Sequence, residues 1–137
     1  MSYNLDRFIK AQTHDYEIAF SEIRAGHKRS HWIWYIFPQV KGLGMSAISE
    51  EYGIDGIDEA KAYMENPVLR EHLIEISEAL LDLESDDALD VMGYPDNLKL
   101  RSSMTLFSEA APDEEVFSKV LDKFFGGEKD PETTKRL

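Results

Sequence analysis

The sequence predicts an all-α fold, a single-domain array of about seven or eight helices, several of them short. Three observations carry that expectation. Apolar residues recur at helical spacing along most of the chain. Every clear punctuation mark is a helix cap, or a cap followed by proline. No strict alternation of apolar and polar residues lasts long enough to build a sheet.

Asn4 has the side chain of an N-cap, and Leu5, Phe8, Ile9, Tyr16, Ala19, Phe20 and Ile23 then share one helical stripe that ends at Gly26. Ser30 is placed to cap a segment from His31 to Phe37, stopped by Pro38. The apolar run within it fits a buried helix or a buried strand. The lack of a partner strand favours helix. Lys41-Gly42-Leu43-Gly44 reads as a connector, and Ser46 as the cap of a short helix through Tyr52, closed by Gly53. Asp58 is expected to cap Glu59 to Glu65, with Ala60, Tyr63 and Met64 inward. Asn66-Pro67 combines a cap with proline at the first helical position, where the missing N–H is harmless. Val68, Leu69, Leu73, Ile76, Leu80 and Leu83 follow on one face. Asp87 to Met92 forms a short turn closed by Gly93, and Asp96 is expected to cap Asn97 to Glu109. Pro112-Asp113 opens a helix with Val116, Phe117, Val120, Leu121, Phe124 and Phe125 inward, closed by Gly126-Gly127. Asp130-Pro131 repeats the cap-plus-proline signal for a last short helix.

A chain of 137 residues, 42% hydrophobic and 31% charged, has the composition of one globular domain, residues 1–137, with a sizeable core. It contains no cysteine, which excludes disulfides, thiolate metal sites and cysteine nucleophiles. Met1 to Arg7 lacks the basic and apolar regions of a signal peptide, and no apolar run is long enough to span a bilayer. A cytoplasmic location is expected. A net charge of −12 disfavours general binding to nucleic acid or anionic membrane.

That charge is unevenly spread. Ile23 to Ser49 contains no Asp or Glu but does contain Arg24, Lys28, Arg29 and Lys41. A second acid-free window, Asn97 to Ser108, holds Lys99 and Arg101. In the first, Lys28 and Arg29 precede an expected helix start with Ser30, His31, Trp32 and Trp34 close by. Free N–H groups at a helix start attract anions, a guanidinium can fork onto phosphate, and an indole can stack on a base or sugar. The same residues also fit a plain structural role: Ser30 as a cap, the tryptophans as core, and the cations paired to internal acids. In the second window Lys99 shares a helix face with Ser102 and Ser103. A lysine beside a serine can activate a nucleophile, but no nucleophile-elbow context surrounds this one. Thr105 fits a bond back to the preceding turn.

The four histidines, His14, His27, His31 and His72, form no metal-binding signature, and no metal site is expected. Gly42-Leu43-Gly44 does not follow a strand and has the wrong spacing for a dinucleotide loop, so no cofactor is expected.

Three strings carry a family resemblance. They are Lys28-Arg29-Ser30-His31-Trp32-Ile33-Trp34-Tyr35-Ile36-Phe37-Pro38-Gln39, Gly42-Leu43-Gly44, and Leu98-Lys99-Leu100-Arg101-Ser102-Ser103-Met104-Thr105-Leu106-Phe107. With Tyr52-Gly53-Ile54, Asp58-Glu59-Ala60, Pro67-Val68-Leu69 and Phe124-Phe125-Gly126-Gly127, they resemble a bacterial and fungal family known as domain of unknown function 1810. The resemblance spans essentially the whole chain. It implies a mainly helical domain and brings no activity with it. Some members carry the label calpastatin, which names a disordered, repetitive inhibitor; a chain with a core-forming pattern and no repeats does not match that description.

The expectation for function is that the two acid-free windows converge on a pocket for a small anion, a nucleotide or another phosphorylated metabolite. Lys28, Arg29, Lys99 and Arg101 would supply charge, Ser30, Ser102 and Ser103 hydrogen bonds, and Trp32 or Trp34 a stacking wall. His31 is the best candidate for proton transfer should the site be catalytic, because imidazoles exchange protons near neutral pH. The alternative is a non-catalytic interaction module whose basic islands dock an acidic partner.

Overall fold

The structure is a computed structural model and describes residues 3–137. Met1 and Ser2, on which the leaderless reading of the N-terminus partly rests, lie outside the described residues. Among the described residues nine helices follow one another: α1 (Asp6–Arg24), α2 (Ile33–Ile36), α3 (Ala47–Glu51), α4 (Gly56–Glu65), α5 (Pro67–Leu81), α6 (Ala88–Met92), α7 (Asp96–Ala110), α8 (Val116–Phe125) and α9 (Pro131–Thr134). Among the described residues the one sheet-like pairing is a lone parallel bridge between Val40 and Ile54. The all-α expectation holds. The count runs higher than the spacing suggested because α2, α3, α6 and α9 are only four or five residues long.

Helix α7 lies at the centre, packed by α8, α4, α6, α9 and α2, while α5 touches α1, α4 and α8. Being enclosed on all sides, α7 has no polar face along its middle: Leu100, Ser102 to Ser108 and Ala110 are all buried. Its Thr105 and Ser108 hydroxyls bond back within the helix, while Ser103 Oγ has no partner among the described residues. Thr105 Oγ1 donates to the Arg101 carbonyl at 2.8 Å, the back-bond its sequence context implied, and Ser108 Oγ donates to the Thr105 carbonyl at 2.8 Å. A line of rings crosses the core from α1 through α4 and α7 to α8. Phe8, Tyr63, Phe107 and Phe117 meet in succession at centroid separations of 5.2, 5.1 and 5.9 Å. Each fully buried phenylalanine contributes about 2–3 kcal/mol through removal of its surface from water.

The locally determined caps are the expected ones. Ser46 Oγ accepts from the Ser49 N–H, Asn66 Oδ1 from Val68 and Leu69, Asp87 from Leu89 and Asp90, and Asp130 from Glu132. Four expected starts are corrected. Leu5, not Asn4, precedes α1 and makes no side-chain cap. Asp58 lies inside the first turn of α4, which begins after Asp55. Asp96 likewise falls inside α7, and its carboxylate turns to lysines instead of the helix N–H groups. Residues 112–115 form a turn, so α8 begins only at Val116. Val68, expected inward, is exposed, because Leu69 takes the buried position beside it.

Two tertiary ties shape the ground around α2 and α3. The Gln12 side-chain amide donates to the Tyr35 carbonyl at 2.8 Å and to the Tyr63 hydroxyl at 2.9 Å, fixing α2 against α1 and α4. The Arg7 guanidinium donates to the Glu51 and Gly53 carbonyls, both at 2.9 Å, and pairs with the buried Glu59 carboxylate at 3.0 Å. Backbone bonds from Lys41 N to the Ile54 carbonyl and from Ile54 N to the Gln39 carbonyl, each 2.8 Å, close the loop between residues 39 and 54. Gly53 permits this closure: a Cβ there would stand 2.9 Å from Lys41 Cα.

Candidate functional site

The stretch before α2 is an anion cradle, and the anion in it belongs to the chain. Glu22, near the end of α1, places its carboxylate beneath residues 29–32. Its Oε1 accepts from the backbone N–H groups of Arg29 and Ser30 at 2.7 and 2.9 Å, and from the Trp32 indole N–H at 3.0 Å. Its Oε2 accepts from Ser30 Oγ at 2.6 Å. Burial alone would raise the carboxyl pKa, but the Ser30 hydroxyl, the two backbone N–H groups and the indole outweigh it and bring it down to about 2. Ser30 is thus corrected from a cap of α2 to a donor to Glu22; α2 starts after Trp32 with no side-chain cap. Trp32 is 1% exposed and packs in the core.

The two acid-free windows do meet. Lys28 Nζ, on a side chain only 5% exposed, lies 2.6 Å from Asp96 Oδ2 and 4.8 Å from the centre of the Trp32 ring. Lys99 Nζ stands 5.2 Å over the Trp34 ring, with Asp96 Oδ1 at 3.7 Å. Acid-free in sequence is not acid-free in space: Glu22 and Asp96, each just outside a window, enter between the cations.

Beside the Trp34–Lys99 contact opens a cleft of about 340 Å³. Its walls come from α2, the loop before and after α3, the start and middle of α7, and the start of α9. Trp34, Leu43, Tyr52 and Leu98 supply apolar surface, and Lys99, Arg101, Ser102, Asp130 and Glu132 supply polar groups. Of the residues expected in a ligand site, Trp34, Lys99, Arg101 and Ser102 line this cleft. Lys28, Arg29, Ser30, His31, Trp32 and Ser103 do not. Lys28, Ser30 and Trp32 are engaged in the Glu22 and Asp96 contacts, Arg29 and His31 are exposed elsewhere on the surface, and Ser103 is fully buried.

The polar groups of the cleft differ in how free they are. Arg101 spends Nε on the Glu128 carbonyl at 3.0 Å and one terminal nitrogen on the Lys129 carbonyl at 2.7 Å. Ser102 Oγ donates to Asp130 Oδ2 at 2.7 Å, and Thr133 Oγ1 donates to the same oxygen at 2.7 Å. Burial raises the Asp130 pKa, but these hydroxyls, the Glu132 N–H and the nearby Arg101 charge lower it below its ordinary value, so Asp130 is ionised at neutral pH. Lys99 is the least committed cation, 30% exposed with one long contact to Asp96. The buried indole N–H of Trp34 has no acceptor among the described residues.

Leu43, Tyr52, Gly53, Asp130 and Glu132 are lining residues that the sequence reading did not place in a site. The Gly42-Leu43-Gly44 string was the available signal for the first of them. A Cβ at Gly44 would stand 2.5 Å from Ser49 Oγ, so this wall needs a residue without a side chain. Among the described residues no group of three or more His, Asp or Glu is placed to hold a metal, and no helix is long and apolar enough to cross a membrane.

Comparison with known proteins places the whole chain in one family. The family described as "Protein of unknown function (DUF1810)" matches residues 2–137. No curated protein matches the chain. A crystal structure, that of the conserved hypothetical protein Rv1873 from Mycobacterium tuberculosis, superposes with a TM-score of 0.96 at 39% identity, covering 98% of this chain and 96% of that one.

Proposed function

The chain belongs to the DUF1810 family, and on that premise we propose that it binds a small anionic, phosphate-bearing ligand in the cleft between Trp34 and Lys99. One observation carries the reading. An ammonium on a side chain 30% exposed lies over the ring of an indole, whose N–H has no acceptor among the described residues, on the wall of a concave, largely apolar cleft. The combination suits a ligand with a flat or sugar-like body and an anionic group. Lys99 supplies the charge, and the free nitrogen of Arg101 adds to it. A cytoplasmic setting fits such a ligand, and a net charge of −12 argues against a nucleic-acid backbone as the anion. His31, exposed and outside the cleft, is dropped as the proton-transfer candidate.

Thermal stability in the presence of inorganic phosphate, mononucleotides and ADP-ribose-like compounds tests the proposal. Binding at a hundred times the dissociation constant adds about 2.7 kcal/mol of stability. A rise in melting temperature is expected that Lys99→Ala removes and Arg29→Ala leaves intact, since Arg29 lies outside the cleft. No rise at millimolar concentration, or a rise that depends on Arg29 and ignores Lys99, overturns it.

The second reading, a docking surface for an acidic partner, draws on Arg29 and His31, which are exposed beside the Glu22 cradle. It predicts salt-sensitive capture by an acidic polypeptide that Arg29→Ala weakens.

A further inference from the structure

The cleft has a negative side as well as a positive one. Its lining holds two cations, Lys99 and Arg101, and two carboxylates, Asp130 and Glu132, so its formal charge is zero. On the positive side Arg101 is already tied to two carbonyls, which leaves Lys99 as the principal cation facing a ligand. On the negative side Asp130 is held in place by Ser102, Thr133 and the Glu132 N–H. Glu132 is looser, 57% exposed and, among the described residues, paired only with the exposed Lys135 at 3.1 Å. A polyphosphate entering this lining would set several negative charges against two carboxylates, with the lightly engaged Lys99 and the carbonyl-tied Arg101 to offset them. Desolvating that mismatch is unfavourable. A ligand with one anionic and one cationic group pairs with both sides.

We infer that the cleft selects a small zwitterion, its anionic group on Lys99 and its ammonium group on the Asp130–Glu132 carboxylates, with Trp34 and Tyr52 flanking the body. The inference rests on the anion-binding reading above and narrows it. The volume of about 340 Å³ lies at the small end for ligand sites and matches a metabolite of modest size.

Calorimetric titration of the full chain with three probes separates the two claims. Inorganic phosphate reports the anion subsite alone. Glycerol phosphate adds a neutral hydroxylated body, and phosphoethanolamine adds an ammonium of similar reach. Phosphoethanolamine is expected to bind about fivefold more tightly than glycerol phosphate, the gain of one partly exposed ion pair. Glu132→Gln, at an exposed position, is expected to erase that preference and to tighten inorganic phosphate. If phosphate and glycerol phosphate bind but phosphoethanolamine binds no better, the zwitterion inference falls and the anion site stands. If none of the three binds at millimolar concentration, both fall.

Discussion

Removing the Glu22 carboxylate should destabilise the protein far more than its position near the surface suggests. Four donors converge on it, and in Glu22→Ala all four lose their acceptor at once. The Arg29 and Ser30 N–H groups lie near solvent and can turn to water. The Trp32 indole N–H cannot, because that ring is enclosed. A hydrogen bond to a charged group is worth about 1.5–3 kcal/mol, and such bonds are not additive when water replaces some of them. A loss of about 2–4 kcal/mol follows for alanine, and about 1–2 kcal/mol for Glu22→Gln, whose carbonyl keeps the Oε1 bonds without the charge. Urea unfolding at neutral pH measures both. Acid titration gives the second signature. The folded-state pKa, near 2, lies below the ordinary 4.5, so the unfolded chain takes up the proton first. The carboxylate's contribution is complete above 4.5 and is lost as the pH falls toward 2. Glu22→Gln should therefore flatten the stability profile in that window. An alanine variant less than about 1 kcal/mol weaker, or a glutamine variant with the wild-type acid profile, would refute the cradle as an energetic feature.

Two further perturbations probe the walls of the cleft. Arg7→Ala should cost about 3 kcal/mol by leaving the buried Glu59 carboxylate unpaired, and adding Glu59→Gln should recover part of that loss in a double-mutant cycle. Simple additivity in urea unfolding would contradict the pairing. Gly53→Ala should cost about 1–3 kcal/mol, because the new Cβ meets the Lys41 backbone and strains the Val40–Ile54 bridge. A Gly53→Ala protein as stable as wild type would show that this closure has slack.

Much of the fold was legible because it is local. Ser46, Asn66, Asp87 and Asp130 cap helices within three residues of themselves, and such bonds depend on little beyond the adjacent sequence. Ser30 and Asp96 have equally good capping side chains and cap nothing. Glu22 gives the Ser30 hydroxyl a charge-assisted bond in place of a neutral one, and the nearly buried Lys28 ammonium pairs with the Asp96 carboxylate. Part of the site was legible for the same kind of reason: Trp34, Lys99, Arg101 and Ser102 stand out as cations, an indole and a hydroxyl in acid-free surroundings. What could not be read is how acids from outside the windows fold back. Glu22 fills the first basic island, and Asp130 and Glu132 join the second only through the packing of α9 on α7. Leu43 and Tyr52 are ordinary apolar residues in sequence, and only the closure between Gln39 and Ile54 makes them a wall.

The chain contains two tryptophans, and their indole N–H groups give the most direct test of the cleft. Trp32 is locked on Glu22, and Trp34 lies against Lys99 with no acceptor among the described residues. In nitrogen–proton correlation spectra, titration with phosphoethanolamine should move the Trp34 indole resonance saturably and leave that of Trp32 in place. Lys99→Ala should abolish the movement. Two stationary resonances, or two that drift together, would contradict a ligand site at Trp34.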